Sequence, residues 1–417
     1  MSEMTATRMG YPLRLATLAA LAGVWAVAAF YLWDSSHVPG SIHVGGLDPH
    51  AFFSSGLLHK GAHYEQFLRI ASLLATAATI VVFLVYARVG TRFIRESAAG
   101  PIGTGMLLAM LGFALVWLVS VPFAVASLWW ERRHGVSHVS YWEAIFGGWL
   151  ALGAEFTFLC FAVLVVMGFA TLVGERWWIP GAAVFIGLYA LFTFVSPYLV
   201  GSSHKLHNPR LQADFDRLAR KEGVSGIPVR VQDVHGDTSA ANAFTVGFGP
   251  TRKVFIWNTL LDGRFSRGEV DFVFAHELGH QARWHLVKGI AWYALFAIPG
   301  AYLIARATRR RGGMGVPEAV PLALLVLVLL TTLARPLQAE ITRHLEGEAD
   351  WAALQATRDP RSGQTLFQGF AKTSLTDPDP PTWAYLWFED HPTLMQRIAM
   401  VRAWARREGL APPRAGS

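Results

Sequence analysis

His276-Glu277-Leu278-Gly279-His280 is the stretch from which the rest of this chain can be read. It has the form H-E-x-x-H. Residues four apart lie on one face of an α-helix, one turn above the other. Two imidazoles at that spacing can hold one Zn²⁺ at about 2.0–2.1 Å per bond. The glutamate beside the first histidine is then placed to take a proton from a water on the metal. Asp271 to Ala275, just before, carry helical patterning, and no proline follows until Pro299. On this reading His285 lies on the same helix, five residues past His280, off the ligand face and structural in role.

A catalytic zinc takes three protein ligands and keeps one position open. The third ligand is expected downstream, on a second helix, and Thr342 to Asp350 supplies the candidates. Glu346 and Asp350 are four apart and share a face, whereas Glu348 stands about 200° around the helix from Glu346. Glu346 is therefore read as the third ligand. Asp350 is read as the group that accepts a hydrogen bond from the free ring nitrogen of a ligand histidine. Alone, this stretch reads better as a charged surface helix; beside H-E-x-x-H the metal reading is the better one.

Outside these motifs the chain is apolar. Of 417 residues, 53% are hydrophobic and 16% charged, with 16 Trp and 27 Phe; soluble domains are nearer about 25% charged. Seven stretches are long enough to cross a bilayer, near 15–33, 68–87, 104–129, 148–173, 179–199, 287–305 and 317–335. The first follows Arg8 and Arg14 as a signal peptide would. Its apolar run is long, though, and no A-x-A cleavage site follows, so it reads as a retained helix. Trp25, Trp33, Trp117, Trp129, Trp130, Trp177 and Trp178 fall mostly near the ends of these stretches, where interfacial aromatics sit. Cys160 is the single cysteine, which excludes an intrachain disulfide.

The domain organisation follows. Residues 1–199 form an N-terminal membrane domain with five helices. Residues 200–286 open the catalytic part, with a polar helix from Leu211 to Glu222, β-rich runs at Pro228–Val231 and Lys253–Trp257, and then the zinc helix. Residues 287–335 form a transmembrane hairpin. Residues 336–417 complete the catalytic part with Glu346. The fold class is mainly α and polytopic, about seven transmembrane helices with a small α+β zincin-type domain. The apolar bulk exceeds what anchoring needs, so the helices are expected to surround a chamber open to the zinc, faced by Glu155. An interfacial glutamate at a span edge is an equal reading of Glu155.

His276 to His280, followed by R-x-x-E-x-x-x-D from Arg343 to Asp350, resembles the integral-membrane CAAX prenyl protease type-1 family, a-factor-converting zinc metallopeptidases with HtpX-like relatives. Asn242-Ala243-Phe244 with Gly247 and Gly249, the run Lys253 to Leu261, and His391-Pro392 followed by Arg397-Ile398 resemble further motifs of that family, in the same order. Ala240-Ala241 depart from the His-Ser often found before the asparagine. The resemblance spans roughly residues 200–400. It implies that His391 helps hold the oxyanion or the substrate backbone, that Asn242 contacts the substrate, and that Arg397 supports the metal site.

The function expected is zinc-dependent peptide hydrolysis at the membrane, with one Zn²⁺ held by His276, His280 and Glu346 and with Glu277 as base. The substrate is a peptide or protein, either prenylated at its C-terminus or embedded in the membrane as an HtpX-like quality-control protease would require. A catalytically inactive transporter or assembly factor is the rival reading, and the retained Glu277 argues against it. The net charge of +7 sits in membrane loops and does not point to nucleic acid. The histidines at 37, 43, 50, 59 and 63 are too irregularly spaced for a metal site. The chain reads as a multi-pass protein of a bacterial inner membrane. With seven spans, Arg8, Arg14, Arg88, Arg92, Arg95, Arg176 and the 306–311 cluster share one side, which puts the zinc outside. The resemblance implies a cytosolic site, and one span more or fewer reverses the first answer.

Overall fold

The apolar stretches fold as long helices, and the H-E-x-x-H motif sits in the domain where two of them end. The structure, a computed structural model, describes residues 10–34, 38–39, 46–93, 99–147 and 149–415. His37, His43, Arg8 and Arg95 lie outside the described residues. The N-terminal half is helical: α1 (Gly10–Asp34), α2 (Ser55–Val89), α3 (Gly100–Arg133), α4 (Trp149–Val173) and α5 (Trp178–Val195). Among the described residues, five helical stretches are long and apolar enough to cross a membrane: Ser55–Arg92, Gly100–Arg133, Leu152–Tyr198, His285–Arg311 and Pro317–Thr357. This differs from the seven expected spans. Gly174, at φ +60°, and a short 3-10 turn join α4 to α5 without a loop, so the fourth and fifth spans form one continuous stretch. The first expected span falls on α1, whose Trp25 indole donates to the Leu295 carbonyl at 2.7 Å.

Strand alternation in the middle of the chain builds a four-stranded sheet. It comprises β1 (Ser203–Lys205), then after α6 (Pro209–Lys221) β2 (Val229–Gln232), β3 (Ala243–Val246) and β4 (Lys253–Trp257). The order is β1-β2-β4-β3, with β2 parallel to β4 and both outer strands antiparallel. β3 is an edge strand, paired to β4 with Ala243 opposite Ile256 and Thr245 opposite Val254. Helix α7 (Arg267–Ala282) lies beside it: the Gln281 amide donates to Thr245 Oγ1 at 2.5 Å and to the Gly247 carbonyl at 3.3 Å. Gly247 is at φ +79°, and a Cβ there would meet the Thr251 carbonyl at 2.8 Å, so only glycine suits this turn.

After α7 the chain returns to the membrane as α8 (His285–Thr308) and comes back in α9 (Val320–Thr357). The domain boundary expected at 335/336 falls inside α9, which continues through Pro336. Proline removes one intrahelical hydrogen bond, which membrane helices tolerate where neighbours satisfy the freed carbonyl. Helices α10 (Pro360–Thr373), α11 (Thr382–Phe388) and α12 (Leu394–Arg407) close the domain. Its core gathers Phe215, Ile256, Phe272, Phe274, Leu278, Leu354, Phe367 and Trp404. Each fully buried side chain of this size contributes about 1.5–3 kcal/mol. The loop after α3 is stapled to this domain: Thr238 and Ser239 hydroxyls donate to the Val136 and Gly135 carbonyls, each at 2.8 Å.

A cavity of about 490 Å³ lies between α4, α5, α8 and α9. Its walls are apolar and aromatic, including Phe158, Phe185, Phe296 and Leu324, with Thr331 and Gln338 among the few polar members. Neither Glu155 nor any expected site residue lines it. Glu155 is exposed, one turn inside the start of the Leu152–Tyr198 stretch. That position matches the span-edge reading and departs from the chamber-facing one. The cost of burying a carboxylate in apolar walls accounts for it.

Candidate metal centre

Helix α7 starts at a capping box, with Ser266 Oγ accepting from the Glu269 N–H and the Glu269 side chain accepting from the Ser266 N–H. From Phe272 to Gly279 every residue is buried, and His280 is partly so, so the helix is enclosed around the motif. Gly279 lets α9 approach. A Cβ on it would stand 2.8 Å from Ala352 Cβ and 3.5 Å from Ala349 Cα. That close approach brings Glu346 to the histidines.

The three expected ligands converge. His276 Nε2 lies 3.1 Å from His280 Nε2 and 3.1 Å from Glu346 Oε2. His280 Nε2 lies 3.5 Å from Glu346 Oε1. Ligand atoms about 2.0–2.1 Å from a tetrahedral centre stand about 3.3–3.4 Å apart, so these separations fit one ion. Among the described residues, His276, His280 and Glu346 are the one group of this kind. Glu346 Oε2 is buried and makes no well-directed hydrogen bond; the His276 and His391 Nε2 atoms face it at 3.1 and 3.2 Å, the surroundings of a carboxylate oxygen that a cation can join.

The surroundings orient this group. His276 Nδ1 lies 2.9 Å from Asp350 Oδ1, and the Arg397 guanidinium donates to both Asp350 oxygens at 2.7 and 2.6 Å. Arg397 itself lies over the Phe367 ring at 4.2 Å. Burial opposes a charge on His276, but Asp350 and Glu346 outweigh it and push the imidazole up to about 9. The centre is thus electronegative and attracts a cation. Glu277 is buried beside the ligands, and burial pushes its carboxyl up.

His391 approaches from the segment before α12. Its Nε2 lies 3.2 Å from Glu346 Oε2 and its Nδ1 2.7 Å from Asp390. Partial burial opposes its charge, while Asp390 and Glu346 hold the imidazole up, so it presents a donor to the centre. Two buried arginines steady this segment. Arg343 donates to the Tyr385 and Glu389 carbonyls at 2.9 and 2.6 Å. Arg69, on α2, reaches Asp377 at 3.3 Å, Glu389 at 3.1 Å and Glu65. Sequence reading missed Arg69; an arginine inside an apolar helix was the available signal. Asn242 is exposed at the entry to β3. Its side-chain oxygen accepts from the Ala243 N–H at 2.8 Å, and its described contacts do not reach the three ligands.

One expectation is corrected by the backbone. His285 is not on the zinc helix. α7 ends at Ala282, Trp284 takes a left-handed conformation at φ 59°, and His285 opens α8. The break swings its ring onto His280, with Nδ1 to Nδ1 at 2.9 Å. Glu348, expected only to stand around the helix from Glu346, is fully buried and meets His285 at 2.8 Å.

Residues 205–405 match peptidase family M48. An uncharacterized metalloprotease of Bacillus subtilis, YhfN, is 25% identical over 238 residues, 54% of this chain and 56% of that protein. The chain thus spans little more than half of that relative. An HtpX protease homologue of Acaryochloris marina is 30% identical over 210 residues, 46% of this chain and 70% of that protein. A CAAX prenyl protease 1 homologue of Oryza sativa is 21% identical over 310 residues, 70% of this chain and 72% of that protein. The crystal structure of S. mikatae Ste24p shares the fold, with a TM-score of 0.64 at 16% identity over 91% of this chain and 96% of that one.

Proposed function

This chain belongs to peptidase family M48, and on that premise we propose that it is an integral-membrane zinc endopeptidase. His276, His280 and Glu346 hold the metal. The observation that carries this reading is the set of 3.1–3.5 Å separations among their ligand atoms. Zinc in that position supplies a Lewis acid for the scissile carbonyl and lowers the pKa of the attacking water.

The protein's own residues do the rest. Glu277 takes the proton from the attacking water and passes it to the leaving amine. His391 donates to the oxygen on which negative charge develops. Asp350, held by Arg397, keeps the His276 ring aimed at the metal. The free edge of β3 offers backbone groups to an extended peptide, and Asn242 contacts that peptide where β3 begins.

The substrate is a hydrophobic or lipidated peptide. The apolar cavity between α4, α5, α8 and α9 supports this, since its walls would shelter an isoprenoid or an apolar segment. A prenylated C-terminus and a damaged membrane protein are the two candidates, and a bacterial inner membrane is the setting. Metal analysis and peptide cleavage test the reading together. The purified chain should carry about one zinc, Glu346→Ala should lose it, and a peptide library with and without a farnesyl group should show which candidate is cut. No zinc after supplementation, or zinc retained by Glu346→Ala, would sink the assignment.

A further inference from the structure

His276 has Asp350 behind it. Behind His280 there is a second histidine. His285 Nδ1 faces His280 Nδ1 at 2.9 Å, and His285 Nε2 faces Glu348 Oε2 at 2.8 Å. Lys288 Nζ stands 3.3 Å from the same Glu348 oxygen. His344 Nε2 is 3.6 Å from the other oxygen, which has no hydrogen-bond partner. Glu348 and His285 are both buried.

The proton pattern follows from the donor inventory. A carboxylate only accepts, so His285 Nε2 is the donor of that pair. A neutral imidazole then has one acceptor left, His285 Nδ1. His280 Nδ1 must donate to it, which leaves the lone pair of His280 on Nε2. That is the atom facing His276 Nε2 and Glu346. The chain from Glu348 therefore fixes the tautomer and ring direction that a metal ligand requires.

We propose that His285 and Glu348, anchored by Lys288, form a relay that orients His280 toward the metal, as Asp350 with Arg397 orients His276. The inference rests on the reading of His276, His280 and Glu346 as the metal ligands. It assigns a positioning role to two residues that touch no substrate. A second metal ion at His285 and Glu348 is the competing use of these groups. The Lys288 ammonium, 3.3 Å from Glu348, already supplies the balancing charge there. A plain buried Lys288–Glu348 pair would not account for His285 being placed between Glu348 and His280.

The test uses the full chain in detergent, stripped of metal and titrated with Zn²⁺ against a chelator of known affinity. His285→Phe keeps the ring bulk and removes both nitrogens. It should bind zinc about 10–100-fold more weakly than wild type. Glu348→Leu should lose as much, and the double variant should lose no more than either single one, because one path is broken in all three. Glu348→Gln, which keeps an acceptor oxygen, should recover most of the affinity. The visible spectrum of the Co²⁺-loaded protein should shift in His285→Phe and Glu348→Leu but not in Val287→Ala on the same helix. Wild-type affinity with an unchanged spectrum in His285→Phe, or additive losses in the double variant, would overturn the relay alone. If His285→Phe fails to fold, Glu348→Leu and Glu348→Gln carry the same comparison. A wild type that takes no zinc would remove the ligand reading and the relay with it.

Discussion

The membrane half and the catalytic half of this molecule differ in how fully they enclose large apolar residues. Around the metal centre, bulky side chains are enclosed: Phe272, Phe274, Phe367 and Trp404 are almost without exposure. Among the membrane helices the buried clusters are smaller, and glycines make close contacts. Gly105 lies against Met167, and Gly112 would place a Cβ 2.9 Å from Leu324. Met167, Tyr86 and Phe83 are buried there, but many large apolar residues face outward, Leu172 at 78% exposure and Leu118 at 62%. In water the hydrophobic effect packs the large side chains inside. In lipid that force between helices is absent, and close backbone approach takes its place. In the catalytic half the helices that carry the ligand atoms are packed into one enclosed core. The membrane half keeps a cavity.

Four substitutions probe this contrast, from the largest effect to the smallest. Glu277→Gln acts at the centre of the catalytic half. It should keep zinc and lower peptide turnover by about 10²–10⁴-fold, the usual contribution of a general base. Steady-state cleavage with metal analysis of the same sample checks it; turnover at the wild-type rate would discard Glu277 as the base.

Phe272→Ala asks whether the core holds the domain. Loss of a fully buried phenylalanine costs about 3–5 kcal/mol, so denaturant unfolding of the catalytic half should shift by that amount. A shift under about 1 kcal/mol would show that the core around Phe272 relaxes easily.

Gly279→Ala tests the close approach of α7 and α9 without touching a ligand. The added methyl meets Ala352, and overpacking of this kind costs about 1–3 kcal/mol. Zinc affinity should fall along with stability, because α9 carries Glu346. Stability lost with zinc affinity intact would separate the packing from the site.

Leu172→Ala is the membrane counterpart. The side chain is exposed on α4, so its removal should change stability by no more than about 0.5 kcal/mol, as for other exposed positions. A loss as large as that of Phe272→Ala would erase the difference between the halves.

Much of the site was legible along the chain. H-E-x-x-H and Glu346-x-x-x-Asp350 depend only on helical periodicity, which sequence displays directly, and their residues meet as that spacing requires. The long apolar helices follow from hydropathy in the same way. Three features were not legible. His285 reaches His280 only because Trp284 adopts a left-handed turn, and a bulky residue in that conformation has no sequence signal. Glu348 was read from its angle to Glu346, which says nothing about what lies on the other side of the helix. The boundary drawn at 335/336 cuts a helix that continues through Pro336, because the end of an apolar run need not be the end of a helix. Local geometry repeats with the chain and can be read from spacing. Which side chains meet across a helix break, and which buried charge finds a partner, depends on contacts between residues far apart in sequence. Those contacts exist only once α7, α8 and α9 are packed together.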